Sequence, residues 1–305
     1  MHIPARPVFL ALLIFGLAGL SAKARPLSIL TDIAPVQALV SQLAKDLQTP
    51  VQLIANGQSI HDHALKPSDI RRLQAADLII WLGPQSTPSL ASIMARPEFA
   101  GNALELNALA GTLLLARRKP GLSMTSANAA PVSDAHDPHT WLYPPSARLW
   151  ADHIATRLIA LDPENAANYR ANNHQLQTEI ARVQAEGTTR LTAPGARPFL
   201  QFHDAFQYFE VYFDLSPLGT VTADDEDAAS LGTILDLRME LANHPTTCLF
   251  QRDRLQAKRA HALADISGVI TTEIDALGRD GNAVPASYPS LISGIITAFA
   301  KCLYQ

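Results

Sequence analysis

The feature that most constrains this chain is a rhythm. Short apolar runs alternate with longer stretches whose apolar residues recur at helical spacing. Leu27 to Leu30 reads as a strand, and Pro35 opens a helix on which Val36, Leu39, Val40, Leu43 and Leu47 share one face. Val51 to Ile54 reads as the next strand, followed by a loop carrying Gly57 and His61. Ser68 stands where an N-cap is expected for a short helix through Leu73 and Ala76, and Asp77 to Leu82 is a further strand ending at Gly83-Pro84. Strand, helix, strand, helix in this order predicts βαβ units and a parallel sheet covered by helices on both faces.

The rhythm breaks once and then resumes. From Arg117 to Asp137 the chain is rich in Ser, Ala, Pro and Asn with little periodicity, which predicts a flexible surface loop. Pro144 to Leu161 reads as a helix, and Asp162-Pro163-Glu164 as a turn that starts another. After Pro163 there is neither Pro nor Gly until Gly187, which reads as a stop. A helix of about 23 residues would be roughly 35 Å long, enough to run from one lobe to another. Strands at Pro198 to Gln201, Ser216 to Val221, Thr247 to Phe250 and Gly268 to Thr272 follow, with helices between. The helix expected near Ala228 is preceded by Asp224 to Asp227, negative charge that suits the positive end of a helix dipole. The expectation is an α/β protein of two βαβ lobes with parallel sheets, an N-terminal one over 25–162 and a C-terminal one over 188–305. A rigid linker helix over 163–187 joins them.

The ends bound where such a protein works. Arg6 leads into 13 apolar residues from Val8 to Leu20, and Ala22-Lys23-Ala24 supplies the small-x-small pattern that a signal peptidase reads. The run is short of the roughly 20 residues a membrane span needs. Residues 1–24 therefore read as a signal peptide cleaved near Ala24, and the mature chain as an exported, soluble protein. Losing Arg6 and Lys23 takes the formal charge from −4 to about −6, which argues against a nucleic-acid partner. Cys248 and Cys302 are the only cysteines, and in an oxidising compartment such a pair reads as one disulfide. Two thiols alone would leave a zinc–thiolate site incomplete.

Three histidines stand out by position. His61 follows a strand at the C-terminal edge of the first sheet, where open α/β sheets place their ligands. His203 follows the run Phe199 to Phe202 at the matching edge of the second. His139 comes just after the expected loop, near Trp141, an apolar residue able to anchor it. Neutral imidazole suits Zn²⁺, which takes four ligands in tetrahedral array. Asp275, after the Gly268 to Thr272 strand, is the carboxylate at a matching edge, as a fourth ligand or as a turn residue before Leu277-Gly278. No Gly-rich phosphate loop, nucleophile elbow or His-Glu-x-x-His helix is present.

These segments carry a resemblance. Gln58 to Asp69, with His61-Asp62-His63, resembles the first metal-binding motif of the ZnuA-like zinc-binding proteins of bacterial ABC importers. Asp137-Pro138-His139-Thr140-Trp141 is similar to the second, Phe202-His203-Asp204-Ala205-Phe206 to the third, and Ile274 to Gly278 to the fourth. Cys248 and Cys302 also match the disulfide positions of some members. The resemblance implies two α/β lobes joined by a long rigid helix, with one ion in the cleft between them. It implies His61, His139 and His203 as ligands, with Asp275 or water in the fourth position. The implied role is a periplasmic carrier, monomeric and not an enzyme, that delivers zinc to an inner-membrane ABC permease with its cytoplasmic ATPase. A manganese or iron carrier, a secreted zinc hydrolase and a metal-independent adhesin or solute binder are the alternatives. Two features depart from the family pattern. The 117–137 stretch holds only His136 among imidazoles, and Phe250-Gln251-Arg252-Asp253-Arg254 replaces the usual Glu-Pro-Gln.

Overall fold

The two runs of alternating elements fold into two separate sheets. The computed structural model describes residues 25–56, 58–61, 63–122, 135–223, 228–244, 246–252, 263, 268–278 and 286–305. The expected signal peptide, residues 1–24, lies outside them. In the first sheet β1 (Ile29–Thr31), β2 (Val51–Gln52), β3 (Leu78–Trp81) and β4 (Ala103–Glu105) lie in the order β2-β1-β3-β4, all parallel. β1 and β3 are buried along their whole length, which is why they read as unbroken apolar runs rather than alternating ones. Helices α1 (Ala34–Leu43), α2 (Pro67–Ala75) and α3 (Pro88–Met94) connect them. α1 buries Val36, Leu39, Val40 and Leu43, the face its spacing predicts. α2 starts two residues earlier than expected, and Ser68 is not its cap. Pro67 occupies its first position, and the Asp69 carboxylate turns back to accept the Lys66 backbone N–H at 2.9 Å.

The second sheet holds β5 (Gly121–Leu122), β6 (Phe199–His203), β7 (Gly219–Thr222), β8 (Thr247–Gln251) and β9 (Val269–Glu273), in the order β5-β7-β6-β8-β9. β6 to β9 are parallel, and β5 runs antiparallel to β7. β5 corrects the expectation of a loose surface loop from Arg117 onward. Its pairing is possible because Gly219 has no side chain: a Cβ there would stand 2.3 Å from the Gly121 carbonyl oxygen. Arg118 is likewise buried. Residues 123–134, the middle of that stretch, lie outside the described residues.

α4 (Pro144–Leu161) matches its expected bounds. A single 3-10 turn (Pro163–Asn165) then leads into α5 (Ala166–Leu191). The helix does not stop at Gly187. A Cβ there would meet the Phe213 ring at 2.5 Å and Ile296 at 2.7 Å, so the glycine admits close packing instead. α5 packs on α1 and α4 and also on α6 (Gln207–Phe213) and α8 (Tyr288–Tyr304), which lie beside the second sheet. α7 (Leu231–Asn243) begins later than expected, because Ser230 Oγ accepts the Thr233 N–H at 3.0 Å and caps it. The acidic run Asp224 to Asp227 lies outside the described residues. Cys248 on β8 and Cys302 on α8 form the expected disulfide, Cα atoms 6.0 Å apart. One apolar cluster runs unbroken from Ile29 and Ile80 through Trp150 and Ile180 to Phe250 and Phe299. No described helix is long and apolar enough to cross a membrane.

Candidate metal centre

Each sheet reverses its strand order next to its first parallel strand, between β1 and β3 in one and between β6 and β8 in the other. In open α/β sheets such points open a crevice at the C-terminal strand ends, and ligands bind there. His61 lies in the connection between β2 and α2, and His203 is the last residue of β6. His139 immediately precedes a 3-10 turn (Thr140–Leu142) that leads to α4.

The structure brings the three imidazoles together. The His139 ring centre is 4.8 Å from that of His203 and 5.7 Å from that of His61, both edge to face. A tetrahedral zinc held by imidazoles at about 2.0–2.1 Å would set ring centres roughly 5 Å apart. Among the described residues, no three His, Cys, Asp or Glu side chains form an assembled donor set. The two ring-centre distances are close to that spacing, but the described donor atoms do not converge on one point.

The three rings line a cavity of about 40 Å³ whose walls also include Trp141, Phe250 and Asp275. That is room for a water-sized body, whereas pockets for organic ligands run to hundreds of Å³. Asp275 does act as a turn residue, since its Oδ1 accepts the Leu277 N–H at 2.9 Å, yet it lines the same cavity. Gln251 and Arg252, from the departing segment at the end of β8, line it too; Asp253 and Arg254 lie outside the described residues. His63, His136 and His174 are not among the lining residues.

His139 is firmly held. It is 2% exposed, and its ring lies 5.2 Å from that of Trp141. Trp141 is anchored in turn: Nε1 donates to the Ala276 carbonyl at 2.8 Å, and its own carbonyl accepts the Tyr288 hydroxyl at 2.7 Å. The Asp137 carboxylate accepts the His139 backbone N–H at 2.9 Å and lies 2.8 Å from Nδ1. With Nδ1–H donated there, the lone pair sits on Nε2, the arrangement metal-ligating histidines adopt. Burial pushes the Asp137 carboxyl up to about 6, opposed by the His139 N–H and by nearby Arg118, His203 and Arg117.

Neither Asp137 nor Arg118 stands out in the sequence as a functional residue. Asp137 carried a local signal, a carboxylate two residues before a candidate ligand. Arg118 carried none, for its partners Asp204 and Glu210 are 86 and 92 positions away.

Parallel α/β sheets with three imidazoles lining one small cavity at their edge point to a binding protein of the metal-handling kind. The chain belongs to the ZnuA family: the model described as zinc-uptake complex component A, periplasmic, matches residues 29–302. The protein named high-affinity zinc uptake system protein ZnuA from Paracoccus denitrificans is 31% identical over 312 residues, covering 94% of this chain and 95% of its own. Its namesake from Yersinia pestis is 27% identical over 290 residues, covering 90% and 91%. The crystal structure of the Streptococcus pneumoniae AdcAII protein shares the fold, with a TM-score of 0.75 at 20% identity over 91% of this chain and 99% of that one.

Proposed function

We propose that this chain captures one Zn²⁺ in the periplasm and delivers it, as a monomeric carrier, to an inner-membrane ABC permease driven by a cytoplasmic ATPase. His61, His139 and His203 are the protein ligands, and Asp275 or a water fills the fourth position. The observation that carries this reading is the spacing of the three rings, 4.8 and 5.7 Å, around a cavity sized for a single ion. Imidazole donors favour zinc over manganese, which prefers more oxygen. The two sheets are the two lobes of the carrier, and α5 is the rigid strut between them.

The same geometry supports a carrier rather than a hydrolase. Asp204, the described carboxylate next to a candidate ligand, is held by Arg118 and cannot serve as a general base. X-ray absorption at the zinc edge of the loaded protein tests the donor set. Three nitrogen donors and one oxygen at about 2.0–2.2 Å are expected. A shell dominated by oxygen, or containing sulfur, would rule the assignment out.

A further inference from the structure

Arg118 lies on the segment expected to be a surface loop, yet it is 4% exposed and buried against the second sheet. Its guanidinium grips Asp204 with two nitrogens, Nε donating to Oδ2 at 3.1 Å and Nη2 to Oδ1. Nη1 donates to Glu210 Oε2 at 2.7 Å, and Gln201 holds the other oxygen of Glu210. Burial works against the guanidinium charge, but the two carboxylates hold it firmly in place. A buried, bidentate arginine fixes geometry more than it adds stability. The geometry fixed here is that of Asp204, the residue directly after His203.

Arg118 is also continuous with the backbone beside His139. Residues 115–118 and 135–137 pair as an antiparallel ribbon: Asp137 N–H donates to the Leu115 carbonyl at 2.8 Å, Arg117 N–H to Ala135 at 3.2 Å, and Ala116 bridges His136. The Tyr208 hydroxyl closes the assembly from α6. It accepts the Leu115 N–H at 2.9 Å and donates to the Asp137 carbonyl at 3.1 Å. Asp137 then holds His139 through both its backbone and its ring.

We propose that Arg118 is a positioning residue for the metal site: by clamping Asp204 it fastens the ribbon to the second sheet and holds His139 and His203 as one preassembled pair. His61 reaches that pair from the first sheet. The inference rests on the three-histidine reading, and a double-mutant design separates the two. Zinc affinity is measured by competition calorimetry for the intact chain, for Arg118→Lys, and for Arg118→Lys combined with His61→Ala or with His139→Ala. Lysine keeps the charge and loses the fork. Arg118→Lys should weaken zinc binding by about tenfold, the usual effect of losing an outer partner of a ligand. The loss should persist beside His61→Ala and nearly vanish beside His139→Ala, where no pair remains to be held. Tyr208→Phe, which removes only the bridging hydroxyl, should act in the same direction to a smaller extent. Unchanged affinity in both Arg118→Lys and Tyr208→Phe overturns the proposal. So does an Arg118→Lys loss that is equal in the two histidine backgrounds, the mark of a merely structural role. If the unmodified chain takes up no zinc, the three-histidine reading itself falls, and this inference with it.

Discussion

At Asp137, burial and hydrogen bonding pull in opposite directions, and burial wins, so the carboxyl titrates near 6. That places its proton uptake beside the ordinary imidazole range of about 6.5. Imidazoles must be neutral to bind zinc, and Asp137 must be ionised to take the His139 Nδ1–H. Both requirements fail in the same direction, so zinc affinity should drop steeply from pH 7.5 to pH 5 in calorimetric titration; a flat profile would count against these ligands. Asp32 gives a separate residue-scale test. It sits at the end of β1, accepting the Ile33 and Leu82 N–H groups at 2.8 Å each, and burial pushes its carboxyl up to about 6. A carboxyl raised in the folded state holds its proton more tightly there than in the unfolded chain. Its share of stability therefore falls as pH rises from about 4 to about 6, by roughly 1–3 kcal/mol. Asp32→Asn should flatten that part of the profile in urea unfolding at pH 4.5 and 7; an unchanged slope would contradict it. The three histidines were legible because strand ends and short motifs mark them. Arg118 was not, because buried ion pairs are made by residues far apart in the chain.

At the scale of elements, local pattern located most strands and helices to within a few residues, and it went astray where tertiary contact overrode a local signal. Gly187 reads as a helix stop, but its meaning is set by Phe213 and Ile296, which no local window contains. Alanine there would gain up to about 1 kcal/mol of helix propensity. It would also force a methyl into the Phe213 ring, and overpacking costs about 1–3 kcal/mol. Gly187→Ala should therefore lower the thermal midpoint, and a raised midpoint would refute the packing role. β4 and β5 escaped notice because Ala103-Leu104-Glu105 and Gly121-Leu122 make no apolar run. β5 depends on Gly219, so Gly219→Ala should dislodge it and expose backbone amides of 121–122 to faster hydrogen exchange.

Over the whole molecule, α5 and the continuous apolar cluster tie the two sheets and their helices into one structure, and the disulfide fastens α8 to the second sheet. The Cys248–Cys302 link spans 54 positions, a loop whose closure constrains the unfolded chain by about 4 kcal/mol on the entropy model. Reduction, or paired Cys248→Ser and Cys302→Ser, should lower stability by about 2–5 kcal/mol in denaturant unfolding. An unchanged midpoint would mean the bond is dispensable. The parallel α/β class was legible from the strand–helix rhythm alone. The fastening of the 115–122 segment to the second sheet was not, since its composition signals only a loop. On the proposed reading three imidazoles from separate elements hold one zinc ion, and calorimetry on chelator-stripped protein is the direct test. One zinc per chain in the nanomolar range is expected, weakened about a hundredfold or more by His139→Ala. Zinc binding that survives His139→Ala unchanged would contradict it.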